Sequence, residues 1–272
     1  MLPPEISLDF LLKNIARKGC GAARYLEMEF NLAEALDLRK LISLEAVGEP
    51  LRPLSEKLDY FTPHEYVKAG APYGGYGPYF LREQVVERLD DAQAKLDQAL
   101  PGARLKIFDA FRPKSVQIYM RQLYYQKAVI NLGYDLNNMA ASQVDDAWRW
   151  VDTVWARPSN DPNLPTPHST GAAIDLTIVD SQGAEIDMGC SIDEVSERIL
   201  PSYYDHRSTV EAATFAKNRE LLRSVMEGAG FYRLSHEWWH FSYGDQFWAL
   251  IESLRTGRTV PAVYGEFIEG MS

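Results

Sequence analysis

Phe231-Tyr-Arg-Leu-Ser-His236-Glu237-Trp-Trp-His240-Phe-Ser-Tyr243 is the stretch on which the fold turns, because it admits two readings. On a helix, the pattern His-Glu-x-x-His would present both histidines on one face as metal ligands and the glutamate as general base. In extended form, the same run would be the closing strand of a sheet. Its composition favours the strand. Phe231, Tyr232, Trp238, Trp239, Phe241 and Tyr243 suit a pleated, half-buried surface, and Gly228 and Gly230 interrupt any helix entering from upstream. Extended, His236 and His240 share a face. Residues three apart point to opposite faces, so Glu237 and His240 converge only across a bend or bulge.

The neighbouring segments fit a sheet flanked by helices. Val210 to Gly228 carries Phe215, Leu222 and Val225 on one side of a helix. Ala172 to Val179 has the β-branched content of a core strand, and the turn Asp180–Gly183 predicts a hairpin partner through Met188. Further upstream, Val85, Val86, Leu89, Ala92 and Leu96 mark one face of a helix over Phe80 to Leu100. The strand Ala103–Phe108 then delivers Asp109-Ala-Phe-Arg112-Pro113 to the start of a helix running to about Gly133. Pro113 biases Arg112 toward an extended conformation at that junction. Another helix is predicted around Ser142 to Ala156, followed by a proline-rich loop from Arg157. The order gives an α+β fold, a small, mostly antiparallel sheet surrounded by helices.

Residues 61–272 form the main domain in this reading, and residues 1–60, with a helical pattern at Leu32 to Leu44, form an N-terminal helical extension packed on it. From Phe61 to Pro78, glycine and proline break regular structure. Tyr73, Tyr76 and Tyr79 sit on that loop, where their rings either close over a small ligand or fold back on the protein. His64 and His206 read as surface or loop residues.

Composition narrows the function. The chain has 272 residues, 46% hydrophobic and 24% charged, as in an ordinary globular protein. A formal charge of −10 argues against a nucleic-acid backbone as partner, since that needs clustered Lys and Arg. No apolar run approaches a membrane span. Cys20 and Cys190 have no metal-site or disulfide spacing and read as free thiols. The N-terminal residues lack the basic and apolar regions of a signal peptide, so a cytoplasmic protein is expected. A homo-oligomer is compatible with all of this.

The helical reading of His236-to-His240 has no obvious source for a third metal ligand. Another set exists. His168 and Asp175 flank Ser-Thr-Gly-Ala-Ala-Ile, where Gly171 lets the backbone turn so that a loop residue and a strand residue can converge. With His240 they make two imidazoles and one carboxylate, leaving a fourth position for water, the composition of a catalytic zinc site. Glu237 would then be the base, and His236 would have a supporting role at most.

His168-x-x-Gly171-x-Ala173-x-Asp175, followed by Glu237-Trp-Trp-His240 and preceded by Asp109-Ala-Phe-Arg112-Pro113, resembles the zinc D-alanyl-D-alanine dipeptidases, the VanX type within the zinc DD-peptidases. The resemblance covers roughly Phe80 to Tyr243. It implies a Hedgehog/DD-peptidase-like α+β fold and one Zn²⁺ per chain held by His168, Asp175 and His240. Glu237 is the implied general base and Arg112 the implied oxyanion stabiliser. Asp193 is expected to pair with the ammonium group of a small dipeptide substrate, with Thr166, Ser169 and Tyr76 completing the substrate-binding set. Asp109 is expected to orient Arg112. Departures from the family pattern are Thr166 in place of a serine, Phe111 in place of a tyrosine, and a long stretch between Arg112 and His168. The alternatives are a D,D- or L,D-carboxypeptidase acting on peptidoglycan stem peptides and a non-catalytic metal-binding relative.

Overall fold

The computed structural model describes residues 6–269. Three helices lead the chain: α1 (Leu8–Lys18), α2 (Ala22–Glu29) and α3 (Leu32–Asp37). A 3₁₀ turn over Leu38–Leu41 follows, so the pattern read at Leu32 to Leu44 is a short helix that tightens rather than one long element. The Asn31 side chain accepts from Glu34 N–H while the Glu34 carboxylate accepts from Asn31 N–H, a capping box that starts α3.

Then come β1 (Leu51–Pro53), β2 (Asp59–Tyr60), α4 (Glu65–Lys68), β3 (Phe80–Arg82), α5 (Glu83–Ala99), β4 (Arg104–Asp109), α6 (Lys114–Asn131) and α7 (Ala141–Val151). The C-terminal part supplies β5 (Ala173–Val179), α8 (Val210–Gly228), β6 (Tyr232–Arg233), β7 (His240–Ser242) and α9 (Gln246–Thr256). The first three residues of the expected helix at Phe80 are therefore a strand. They pair antiparallel with β1.

The central sheet has the order β2-β4-β5-β7-β6. Only β2 and β4 run parallel among its pairs; β4–β5, β5–β7 and β7–β6 are antiparallel. Every residue of β5 is buried, as its β-branched, near-continuous apolar run requires for a strand covered on both faces. Leu105 and Ile107 of β4 and Leu176 and Ile178 of β5 belong to one core with Leu89 and Leu96 of α5 and Leu222 and Met226 of α8. Each such side chain, taken from water, contributes about 1.5–3 kcal/mol before conformational entropy opposes it. The hairpin partner expected through Met188 is reduced to a bridge between Val179 and Glu185, with hydrogen bonds from Ile186 N–H to Ile178 O and from Asp180 N–H to Ala184 O, 2.8 Å each.

A second apolar cluster joins the N-terminal helices to α9. Leu11, Tyr25, Leu26 and Leu36 pack with Phe247, Leu250 and Leu254. Among the described residues, no helix is long and apolar enough to cross a membrane.

Candidate metal centre and catalytic cavity

Three strands line up a row of polar side chains across one face of the sheet. Asp175 of β5 pairs in register with His240 of β7 on one side and, past a register shift, with Asp109 of β4 on the other. Directly opposed residues share a face of a sheet, so Asp109, Asp175 and His240 face the same way. His168 comes from the 3₁₀ turn Pro167–Thr170, which ends at Gly171 with φ +70°. A Cβ at Gly171 would stand 2.4 Å from Leu51 Cδ2. Both the left-handed backbone and the close approach of β1 therefore call for glycine there.

The ligand atoms of His168, Asp175 and His240 lie within 4.8 Å of one another, and all three residues are buried. His168 Nε2 is 3.1 Å from His240 Nδ1 and 3.2 Å from Asp175 Oδ2, and His240 Nδ1 is 2.9 Å from Asp175 Oδ1. The opposite nitrogen fixes the tautomer of His168. His168 Nδ1 is 2.7 Å from the Ala110 carbonyl, which can only accept, so Nδ1 carries the proton and Nε2 presents a lone pair. His240 Nε2 lies 3.4 Å from Ser242 Oγ. Burial holds His240 below the usual imidazole range. Burial alone would raise the Asp175 carboxyl, but His168 and His240 together pull it well below the usual carboxylate range. Two imidazole nitrogens and a carboxylate thus point at one another across about 3 Å. That spacing suits a small dication bound at ~2.0–2.2 Å, and the outer hydrogen bonds are of the kind that orient metal-bound histidines.

Glu237 Oε2 is 3.8 Å from His240 Nδ1. The chain turns at Ser235–His236 and bends at Trp238–Trp239 before β7 begins at His240, which resolves the parity conflict between Glu237 and His240. The helical alternative for this stretch is excluded. His236 faces away: its Nε2 is 2.6 Å from Phe30 O and its Nδ1 2.8 Å from Ser235 Oγ. Burial, reinforced by the charges of Asp175 and Asp193, raises the Glu237 carboxyl well above the usual range, while Arg112 opposes the shift.

The Arg112 guanidinium is held on three sides. Nε donates to Asp109 Oδ2 at 2.6 Å, Nη1 to Gln117 Oε1 at 3.0 Å and Nη2 to Asp175 Oδ2 at 3.0 Å. Its carbon lies 4.8 Å from the Trp155 ring centre and 5.2 Å from that of Tyr66. Asp109 does orient Arg112, and it also accepts from Tyr73 OH at 3.0 Å. His64 is not the surface residue expected: it is 5% exposed, caps α4 by accepting from Tyr66 N–H at 3.2 Å, and places Nε2 3.2 Å from Asp109 Oδ1.

Asp193 and Thr166 line the same cavity as Arg112, His168, Asp175, Glu237 and His240. Asp193 has φ +60° and accepts from Tyr66 OH at 2.5 Å. Burial raises its pKa to about 6, with Arg112 opposing and Asp175 adding to the shift. Ser169 and Tyr76 are not on that lining. The Ser169 hydroxyl donates to Thr166 O at 2.8 Å, and the Tyr76 ring packs edge-on against Phe80, Phe111 and Phe267.

Tyr66, Gln117 and Trp155 escaped the sequence reading although all three hold Arg112 or Asp193. Gln117 had a signal: it is a polar residue on the buried face of α6 beside Val116 and Met120. Tyr66 and Trp155 had none, because large buried aromatics look alike whether they support a site or fill a core.

Asp175, Asp193 and Glu237 line one confined cavity with a single guanidinium, that of Arg112. Together with the convergent imidazoles, this is the constitution expected of a metal-dependent hydrolase. The chain belongs to the M15 peptidase family: the family model described as D-ala-D-ala dipeptidase matches residues 61–254. It is 41% identical over 215 residues to a D-alanyl-D-alanine dipeptidase of Synechocystis sp., covering 76% of this chain and 87% of that one. A D-alanyl-D-alanine dipeptidase of Escherichia coli is 34% identical over 142 residues, 52% of this chain and 56% of that one. Among solved structures, a Zn(II) complex of the vancomycin-resistance D,D-pentapeptidase VanY is similar with a TM-score of 0.38 at 15% identity, covering 76% of this chain and 90% of that one.

Proposed function

We propose that this chain hydrolyses free D-alanyl-D-alanine, using one zinc ion per chain held by His168, Asp175 and His240, and that it does so in the cytoplasm. The observation that carries the reading is the convergence of Glu237, Arg112 and Asp193 on the cavity where these three residues meet. Membership of a dipeptidase family supports the reaction type.

The bound ion would supply Lewis acidity toward the scissile carbonyl and lower the pKa of water to about 7. The chain's own residues supply the rest. Glu237, whose carboxylate lies 3.8 Å from His240 Nδ1, takes a proton from the attacking water and returns it to the leaving amine nitrogen. Arg112 has three of its five N–H groups committed to Asp109, Gln117 and Asp175. That leaves two to donate to the carbonyl oxygen as it gains negative charge, from a plane already fixed before the barrier is crossed. Asp193 pairs with the substrate's ammonium group, and Thr166 offers a hydroxyl on the same wall. An acylated N-terminus cannot form the Asp193 pair, which restricts the substrate to a dipeptide with a free amine.

The test is to assay D-Ala-D-Ala beside its N-acetyl form. The free dipeptide is expected to be cleaved and the blocked one to be poorer by at least about 10²-fold, the cost of leaving a buried carboxylate unpaired. Equal cleavage of the two would overturn the assignment of Asp193. Failure to cleave D-Ala-D-Ala would overturn the substrate.

A further inference from the structure

The region matched by the family begins at residue 61, yet two walls of the catalytic cavity come from earlier in the chain. Leu32 and Leu36, one helical turn apart on α3, line it together with Val154, Ala156, Leu234 and Trp239. Each is 6% exposed. They are firmly held. The capping box fixes the start of α3, and the buried Arg39 ties its end to the loop that carries His168: Nε donates to Leu36 O at 2.7 Å and Nη1 to Pro165 O at 2.6 Å. Gln246 adds a second tie, donating to Ile42 O at 3.0 Å and Asn163 O at 2.9 Å.

The cavity that Leu32 and Leu36 line has a volume of about 30 Å³. Leu32 also lines a wider cleft of about 800 Å³ that reaches Trp150, Val195 and Leu200. Leu32 thus borders both a tight chamber and an open one. We propose that Leu32 and Leu36 form the wall of a side-chain subsite and set the largest substrate side chain the enzyme accepts, so that the N-terminal segment is part of the specificity apparatus. The inference rests on the dipeptidase reading above. A methyl group fits against a fixed leucine wall; a longer side chain must displace a leucine whose helix is anchored at both ends. In a hydrophobic pocket, one methylene is discriminated by about 10–200-fold, and overpacking adds to that.

The experiment measures kcat/KM of the full chain and of Leu32→Ala and Leu36→Ala for D-Ala-D-Ala, D-Ala-D-Leu and D-Leu-D-Ala. At least one variant is expected to raise the rate for one of the two bulky dipeptides, relative to D-Ala-D-Ala, by about tenfold or more; the dipeptide that gains identifies the subsite. Leu36→Phe, which keeps an apolar residue on α3 while narrowing the chamber, is expected to shift preference from D-Ala-D-Ala toward D-Ala-Gly or Gly-D-Ala, and it carries the test if the alanine variants do not fold. Ratios within twofold of the parent in every folded variant would overturn the proposal. A parent chain that does not cleave D-Ala-D-Ala at all would instead overturn the reading on which it rests.

Discussion

Replacing Asp193 with asparagine should weaken catalysis and strengthen the fold, and the two effects have one cause. Burial and neighbouring carboxylates raise the Asp193 pKa from 3.8 to about 6. Because the folded-state value is raised, the fold favours the neutral form. Stability is therefore greatest below the unfolded-state pKa and is lost as pH rises between roughly 3.8 and 6. The shift corresponds to about 3 kcal/mol at neutral pH, less some relief from partial solvent contact, so about 2–3 kcal/mol. Asparagine is neutral at every pH and tolerates the left-handed backbone at this position, φ +60°. Asp193→Asn is accordingly expected to raise Tm by about 5 °C at pH 8, with the gain shrinking toward pH 4.5. Thermal scans should be run with and without a chelator, since a bound dication would itself favour the carboxylate and reduce the gain. In the same variant kcat/KM for D-Ala-D-Ala should fall about 10²- to 10³-fold, while the preference for a free over an acetylated dipeptide disappears. In the parent, activity should fall as pH drops through about 6 and Asp193 takes up a proton. A Tm difference that is absent, reversed or independent of pH would refute the reasoning about burial. Retained discrimination against the acetylated substrate would refute the ammonium pair.

Glu237→Gln is expected to keep its metal on dialysis and to lose turnover by about 10²- to 10⁴-fold; unchanged kcat would remove Glu237 from the mechanism. His168→Ala should lose metal by elemental analysis while His236→Ala retains it, because His236 is spent on Phe30 O and Ser235; the reverse pattern would return the metal to the His236-to-His240 motif. Gly171→Ala should lower the urea midpoint by the equivalent of about 2 kcal/mol or more, since the new Cβ meets Leu51 Cδ2 at 2.4 Å at a positive φ. An unshifted midpoint would show that β1 gives way at no cost.

What the residues alone disclosed was a set of short-range patterns. A glycine that permits a turn, a β-branched run after it and an aromatic run sixty residues later were enough to bring His168, Asp175 and His240 together on paper, because strand alternation and turn chemistry act within a few residues. The family resemblance then supplied roles. The misreadings have equally local causes. The paired elements at Phe80 and at Ala184 to Met188 were a strand and a lone bridge because pairing depends on partners elsewhere in the chain, Leu51–Pro53 in the first case. His64 looked like a loop histidine because nothing near it in sequence announces that Asp109 will lie 3.2 Å away.

By itself, then, the sequence disclosed which residues have the chemistry for a dication and a water, and that residues 231–243 are not a helix; the one closing strand expected there is instead two short strands, β6 and β7, paired across the turn at Ser235–His236. Tertiary structure decided the rest. The in-register pairing of Asp175 with His240 and the bend at Trp238–Trp239 put Glu237 on the metal side and turned His236 toward Phe30. Packing of α3 against the main body made Leu32 and Leu36 walls of the cavity. The physical reason is one of range: turn and strand preferences are set by adjacent residues, whereas register, burial and the closing of a cavity depend on which distant apolar faces cover one another.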